Sequence, residues 1–298
     1  MMFVRGCCLI RCLCGVVFVT ITWCGTFIAS ADPMRSMSYN ILFDTAVSPD
    51  IDNPMAWFHP DTPRRDRVRT VIRREMPDII GMQEVTNEQL PDLIEDLPEY
   101  ENVDLWNDEI GYWFSNPIFY KRDRFGRLDS GVFSLSDLPE IPTATFDGGD
   151  VRRVAWVQLR DADTEQQVFV FNTHLHAFGG SNIRQRSARI IQRKMSEIAG
   201  DAPIILTGDL NTFAGSYTMQ ILQGEVEEQL VLLRDSCTTF CDEDPSGPFG
   251  GRIDFVLHTE ELRPIASWII PDRVDGLLPS DHYPVVSDLE FTGATIGA

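Results

Sequence analysis

Apolar residues in this chain recur at two different periods, and the two kinds of segment are interleaved. Short runs rich in β-branched and aromatic residues read as strands. They are Arg35-Ser-Met-Ser-Tyr-Asn-Ile-Leu-Phe, Val154-Ala-Trp-Val-Gln-Leu, Gln167-Val-Phe-Val-Phe-Asn-Thr and Pro203-Ile-Ile-Leu-Thr, joined later by Ile253-Asp-Phe-Val-Leu and Tyr283-Pro-Val-Val-Ser-Asp-Leu-Glu-Phe. Two stretches show helical spacing instead. Asp61-Thr-Pro-Arg-Arg-Asp-Arg-Val opens one, with a capping acid, a proline in the first turn, and Val68, Val71 and Ile72 on one face. Ser181 to Ala199 forms the other, with Ile183, Ile190, Ile191, Met195 and Ile198 as its stripe. Both stripes are core packing. No Gly/Ser linker, low-complexity tract or internal repeat interrupts the run, so residues 32–298 are expected to form one domain, a sandwich of the α/β or α+β type.

Residues 1–31 depart from that pattern. Arg5 and Arg11 precede or border an apolar stretch from Leu13 to Ile28, which ends in Ala29-Ser30-Ala31. A positive segment, an apolar segment and an A-x-A signal make a secretory leader, with the mature chain beginning at Asp32. An uncleaved membrane anchor is the alternative, since the stretch is close to the shorter spans that cross a bilayer. Trp23-Cys24-Gly25 hints at a lipoprotein box, although the bulky Trp before the Cys argues against it. The expected location is therefore secreted or periplasmic, with no membrane span after leader cleavage.

Charge and cysteine content fit export. Five of the seven cysteines fall in the leader, which leaves Cys237 and Cys241 as a close pair suited to a small-loop disulfide. A zinc site is the weaker alternative, because two ligands lack a second pair. The whole chain carries a net charge of −20, and losing Arg5 and Arg11 makes the mature chain more negative still. Such a surface lacks the basic footprint of a nucleic-acid binder, so polynucleotide partners are disfavoured. It keeps the protein soluble and is compatible with divalent cations, and a monomer is expected.

Polar residues gather at the strand ends. Asn40 interrupts the first strand, and Gln83-Glu84 closes Asp78-Ile-Ile-Gly-Met. His174 and His176 close the strand that begins at Gln167. Asp209 and Asn211 follow Pro203-Ile-Ile-Leu-Thr, Asp254 lies within Arg252-Ile-Asp-Phe-Val-Leu, and Asp281-His282 precedes the last strand. Any one of these has a plain reading as a cap, a turn or a core histidine. Six together point to a site, because ligands bind where strand ends converge.

The motifs in which these residues sit resemble those of the endonuclease/exonuclease/phosphatase superfamily, the deoxyribonuclease-I-like metallohydrolases. They are Ser38-Tyr-Asn-Ile, Pro77-Asp-Ile-Ile-Gly-Met-Gln-Glu-Val, Asn172-Thr-His-Leu-His, Gly208-Asp-Leu-Asn, Arg252-Ile-Asp-Phe-Val and Ser280-Asp-His-Tyr-Pro-Val, in the family's order from Ser38 to Phe291. The resemblance implies a four-layer sandwich, with two mixed β-sheets packed face to face and helices outside. It also implies metal-dependent cleavage of phosphate esters. Phosphoryl transfer to water needs a positioned nucleophile and cancellation of charge on the phosphate oxygens, which a Mg2+ ion supplies, with Mn2+ as a substitute.

By the same resemblance, Glu84 and Asp281 are the acidic metal ligands and Asn40 completes the metal environment. Asp209 and Asn211 position the nucleophile and the phosphate, and His174 donates to the phosphate. His282 acts on a proton or a phosphate oxygen while Asp254 fixes its tautomer. Arg64 and Arg65 are candidates for binding a phosphate, with solvated helix positions as the alternative. Relatives often carry an acidic residue before the strand that here reads Pro117-Ile-Phe-Tyr, and this chain has Ser115 and Asn116 instead. Asn116 is accordingly a candidate substrate contact. The expected function is hydrolysis of a phosphodiester or phosphomonoester by metal-activated water. A sphingomyelinase-like lipid phosphodiesterase and a nuclease are the alternatives within the class. A catalytically silent binding protein on the same fold is the alternative from another class.

Overall fold

The computed structural model describes residues 32–44, 53–103, 114–141, 146, 151–178, 180–227, 230–237 and 251–293. The expected leader and Cys241 lie outside these described residues. The first half of the chain contributes β1 (Met34–Asn40), α1 (Arg64–Glu75), β2 (Ile79–Gln83), β3 (Val85–Thr86), α2 (Gln89–Asp96), β4 (Tyr100–Val103), β5 (Phe114–Ser115), β6 (Ile118–Lys121) and β7 (Phe125–Ser134). The second half contributes β8 (Arg153–Asp161), β9 (Gln167–His174), α3 (Gly180–Ala199), β10 (Ile204–Asp209), α4 (Tyr217–Leu222), β11 (Arg234–Asp235), β12 (Asp254–His258), β13 (Leu262–Ile269) and β14 (Val285–Phe291).

Two six-stranded sheets result, in the orders β13-β14-β1-β2-β6-β4 and β11-β12-β10-β9-β8-β7. Each is mixed, because one parallel pair sits among antiparallel neighbours: β1 with β2 in the first sheet, β9 with β10 in the second. Alternation of side chains across the strands explains the layers. In β9, Val168 and Val170 enter a core shared by both sheets, while Phe169 and Phe171 face a second core built on α3 and α4. Ile205 and Val256 join the shared core, and Ile204, Leu206, Phe255 and Leu257 face the helices. On the other side, Met37, Tyr39, Ile80 and Met82 pack against Val68, Val71 and Ile72 of α1 and Leu93 of α2. The four-layer sandwich expected from the resemblance is the architecture observed. Each fully buried aliphatic residue in these layers contributes about 1.5–3 kcal/mol.

The inner faces change character along the strands. At one end they carry Met34, Ile79, Val168, Val170 and Ile205. Towards the other end come Ser38 and Asn40 in β1, Gln83 in β2, Asn172 and His174 in β9, and Thr207 and Asp209 in β10, all buried. Gly81 makes this close approach feasible, since a Cβ there would lie 1.9 Å from Thr207 Oγ1 and 2.6 Å from Asn172 Oδ1.

Two local expectations are revised. The first strand stops at Asn40, short of Phe43, because Asn40 Oδ1 accepts the Leu42 N–H at 3.0 Å and Leu42 turns to φ 61°. Helix α1 starts from Pro63 with no side-chain cap, so Asp61 is not its capping acid. His59 Nδ1 instead accepts the backbone N–H groups of Asp61 and Thr62. No helix among the described residues is long and apolar enough to cross a membrane. Cys237 is buried in the shared core and disulfide-bonded.

Candidate active site

Sheet register brings the polar strand ends into one row. Asp209 is the cross-strand partner of both His174 and Asp254, and Asn40 is the partner of Gln83. Registered partners share a face, so the second sheet presents Asp209, His174 and Asp254 together towards Asn40 in the first. The Asn40 amide closes the gap between the sheets, with Nδ2 donating to Glu84 Oε1 and to Asp209 Oδ2, each at 3.1 Å.

Glu84 reaches the cluster because its backbone takes φ 62° immediately after β2, a left-handed conformation that non-glycine residues rarely adopt. Its Oε2 accepts the Phe43 N–H at 3.1 Å. Asn211 also has a positive φ, 45°, and donates from Nδ2 to the Leu175 carbonyl while its N–H caps Asp209 Oδ1 at 3.0 Å. Leu42 adds a third non-glycine residue of positive φ, 61°, beside the cluster.

His174 and His282 flank Asp209. His174 Nε2 lies 3.3 Å from Asp209 Oδ2, and His282 Nε2 lies 3.7 Å from the same oxygen. On its other side His282 Nδ1 donates to Asp254 Oδ2 at 2.7 Å, and its backbone N–H reaches Ser280 Oγ at 3.1 Å. Ser280 in turn donates to the Asn40 carbonyl at 2.7 Å, which ties the Ser-Asp-His loop to β1.

The electrostatics of the two imidazoles diverge. Burial holds His174 well below its ordinary value, and the positive charges of Arg152 and His282 push the same way, so it is neutral. Burial also pulls His282 down, but the Asp254 and Asp209 carboxylates overcome it and raise the imidazolium to about 10. Asp209 itself is pushed up to about 7, first by burial and then by the neighbouring Asp254 charge. One carboxylate with raised proton affinity thus lies between a neutral and a charged imidazole, a pattern typical of acid–base sites.

Hard carboxylate oxygens suit a small divalent cation. Ligand atoms of Asp209, Asp254 and His282 lie within 4.8 Å of one another. That trio is already held by the His282 proton shared with Asp254, and a cation there would have to displace it. Glu84, which accepts N–H groups from Asn40 and Phe43, offers a carboxylate at the same mouth, and Asp281 adds a partly buried one beside Ser280. Among the described residues Asp254 Oδ1 is buried with no hydrogen-bond partner, so the region has unspent acceptor capacity. The donor set fits a divalent cation.

Both arginine candidates are engaged by other partners. Arg64 is fully buried, with Nε donating to the Met55 carbonyl at 2.6 Å, Nη1 to the Ile41 carbonyl and the guanidinium over Trp57. It braces the chain leaving β1. Arg65 is likewise committed to Asp92, Glu95 and Asp96 of α2 and its C-terminal turn. Asn116 is partly buried at the site's floor: its carbonyl accepts from Asn172 Nδ2 at 3.1 Å and its amide reaches the Arg153 carbonyl at 3.4 Å.

Two residues were given no role of their own from the sequence. Arg152 is buried near His174, and the only trace it leaves is a basic pair opening a strand in an acidic chain. Asn172 underlies the whole site. Its Oδ1 accepts Gln83 Nε2 at 2.7 Å and Thr207 Oγ1 at 3.0 Å, while Nδ2 donates to the Met82 carbonyl at 2.7 Å.

The family model of the Endonuclease/Exonuclease/phosphatase family matches residues 37–282. Among solved structures, the chain is similar to the endonuclease/exonuclease/phosphatase from Bacteroides vulgatus, with 29% identity and a TM-score of 0.76 over 88% of this chain and 100% of that one. An endonuclease/exonuclease/phosphatase family protein from Bacteroides thetaiotaomicron shows 25% identity and a TM-score of 0.76 over 88% and 99%. A mannosyl-6-phosphatase from Bacteroides thetaiotaomicron shares the fold at 24% identity, with a TM-score of 0.75 over 87% and 100%. No curated protein matches the chain.

Proposed function

Because the chain belongs to the endonuclease/exonuclease/phosphatase family of metal-dependent phosphoesterases, we propose that it is an exported, magnesium-dependent hydrolase of phosphate esters whose strand-end residues carry the chemistry. The observation behind this reading is the convergence of Asn40, Glu84, His174, Asp209, Asp254 and His282, from both sheets, on one buried cluster knit by contacts of 2.7 to 3.9 Å. Export is supported by the leader pattern and by the disulfide at Cys237.

Glu84 and Asp281, with Asn40, would hold the Mg2+, which neutralises charge on the phosphate oxygens. The neutral His174 donates a hydrogen bond to a phosphoryl oxygen without adding charge. Asp209, held by Asn40 and the Asn211 N–H, takes the proton of the attacking water. As the water oxygen bonds to phosphorus, the bond from phosphorus to the leaving oxygen breaks, and the His282 imidazolium supplies that oxygen with a proton. Asp254 keeps the His282 proton on the correct nitrogen and stabilises its charge. Proton return from Asp209 to His282, 3.7 Å apart, restores the starting state.

The test is turnover of matched phosphomonoesters and phosphodiesters by the mature protein, titrated with Mg2+. Glu84→Gln is expected to lower turnover at limiting Mg2+ by at least tenfold while leaving the thermal midpoint within a few degrees. Unchanged activity at limiting Mg2+ would remove Glu84 from the metal site. Absence of turnover on every ester would leave a silent binding fold.

A further inference from the structure

The layer between β1 and α1 buries positive charge that the proposed chemistry does not use. Tyr39 precedes Asn40 in β1, so alternation turns it to the opposite face, where it packs against α1. The start of α1 sends Arg64 and Arg67 into the same layer. Exposure is 0% for Tyr39 and Arg64 and 2% for Arg67, a depth at which arginine is almost never found unless paired.

The two guanidinium groups grip neighbouring carbonyls. Arg64 Nε donates to the Met55 carbonyl at 2.6 Å, and Arg67 Nη2 donates to the adjacent Pro54 carbonyl at 2.5 Å. Arg64 spends its remaining nitrogens on the Ile41 and Phe43 carbonyls, with Asp44 at 3.9 Å. Arg67 has no such complement. Among the described residues its Nε and Nη1 are buried with no hydrogen-bond partner, and so is the Tyr39 hydroxyl. Asp44 is, among the described residues, the one carboxylate at ion-pair distance from either guanidinium. These groups feel one another. Burial pulls Arg64 down to about 10, Asp44 and Tyr39 oppose that fall, and the Arg67 charge adds to it. Burial pushes the Tyr39 hydroxyl up, against the pull of Arg64 and Arg67.

Donors without acceptors and an excess of positive charge thus meet at the N-terminal turn of a 12-residue helix, whose dipole adds to the attraction for an anion. We propose that this layer binds one small monovalent anion, a halide such as chloride, through Arg67 Nε and Nη1 and the Tyr39 hydroxyl. Because these groups donate, the occupant has only to accept. A halide does so, whereas a water molecule has two protons of its own to place and leaves the guanidinium charge unbalanced. A phosphate brings more acceptor oxygens than these donors can satisfy. The halide charge offsets the repulsion between Arg64 and Arg67. Arg64 in turn braces the Ile41 and Phe43 carbonyls, and the Phe43 N–H donates to Glu84. The anion therefore supports the strand end that carries the site from the face opposite to Asn40.

The test is scanning calorimetry of the protein in EDTA, with sodium chloride replacing sodium gluconate at constant ionic strength. A saturable rise in Tm is expected, roughly 5 °C when chloride exceeds its Kd about a hundredfold, and bromide should act alike. Tyr39→Phe removes one donor and keeps the ring, so it should need about tenfold more chloride for half of the rise. Arg67→Gln should abolish the rise. Arg127→Gln, which removes an exposed charge on β7, should keep it. Crystals of the wild-type protein grown in bromide should show an anomalous peak in contact with Arg67 and the Tyr39 hydroxyl, a readout that does not depend on any variant folding. Equal Tm in chloride and gluconate, a chloride response that Tyr39→Phe and Arg67→Gln both retain, or a water molecule in place of bromide between Arg67 and Tyr39 would overturn the proposal.

Discussion

Replacing Asn172 by alanine removes one of the groups that join the two sheets, the one beneath the site. Its amide has five partners: the two N–H groups of Nδ2 are shared among the carbonyls of Met82, Asn116 and Pro117 at 2.7, 3.1 and 3.1 Å, and Oδ1 accepts from Gln83 Nε2 and Thr207 Oγ1 at 2.7 and 3.0 Å. Three of the partners keep another bond. Gln83 Nε2 still reaches the Gly81 carbonyl at 3.0 Å, Thr207 Oγ1 the Phe171 carbonyl at 3.2 Å, and the Pro117 carbonyl still accepts the Met82 N–H at 3.0 Å. The carbonyls of Met82 and Asn116 lose the bonds they made to the side chain. At about 1–3 kcal/mol for each stranded buried group, the cost is about 2–6 kcal/mol. In a domain of this size that corresponds to a fall in Tm of roughly 5–20 °C. Asn172→Asp should be no better at neutral pH, since it turns an acceptor towards the same carbonyls. Turnover should fall as well, because Gln83 adjoins Glu84 and Asn172 lies two residues from His174. Scanning calorimetry of wild type and both variants is the assay. A Tm within about 1 °C of wild type for Asn172→Ala would refute the view that this amide holds the sheets in register.

The ion-pair network around α2 carries a pH signature. Burial alone would raise the Asp96 carboxyl, but hydrogen bonds from Arg65 and Arg69 outweigh it and hold the group below its ordinary value. A depressed folded pKa gives stability that is complete above the unfolded value, near 4, and lost as pH falls through the folded one. Asp96→Asn should therefore lower stability by about 1–3 kcal/mol at pH 7, and urea titrations should show the gap closing towards pH 3; a gap independent of pH would exclude the ionic contribution. Mass spectrometry of the exported protein should find its N-terminus at Asp32, and a lipidated Cys24 or an intact leader would reverse that expectation. Thiol labelling of the native mature protein should find no free thiol, and two labelled cysteines would rule out a bridge between Cys237 and Cys241.

Much of the sandwich was legible because its strands alternate strictly. Val168-Phe169-Val170-Phe171 can satisfy two cores only as a strand between layers, and Asp209 ends a run whose neighbours in space end in the same way. The long strand β7 gave no such signal, because its middle residues are exposed or half-buried and include glycines. Cluster membership was readable from strand ends, but the backbone that aims the side chains was not. Nothing in Gln-Glu-Val announces that Glu84 turns left-handed, or in Asn-Ile-Leu that Asn40 ends its strand by accepting the Leu42 N–H. The partners of the arginine pair were hidden for a related reason. Arg64 follows a proline at a helix start, where solvent is the usual neighbour, yet it turns inward to backbone carbonyls freed by the end of β1. Arg152 and Asn172 escaped notice because each acts through neighbours that only the sheet pairing brings close.

The partnership of His282 with Asp254 tests the proposed chemistry most directly. A 2.7 Å hydrogen bond between a fully buried carboxylate and the imidazole makes the two a unit, and residues acting as a unit are non-additive. The decisive measurement is a double-mutant cycle on phosphate-ester turnover at saturating Mg2+. His282→Ala, Asp254→Ala and the double variant are each expected to lose a similar factor, on the order of a thousandfold or more. Losses that simply add would mean that the two residues work independently, and near-normal turnover by His282→Ala would contradict the mechanism itself.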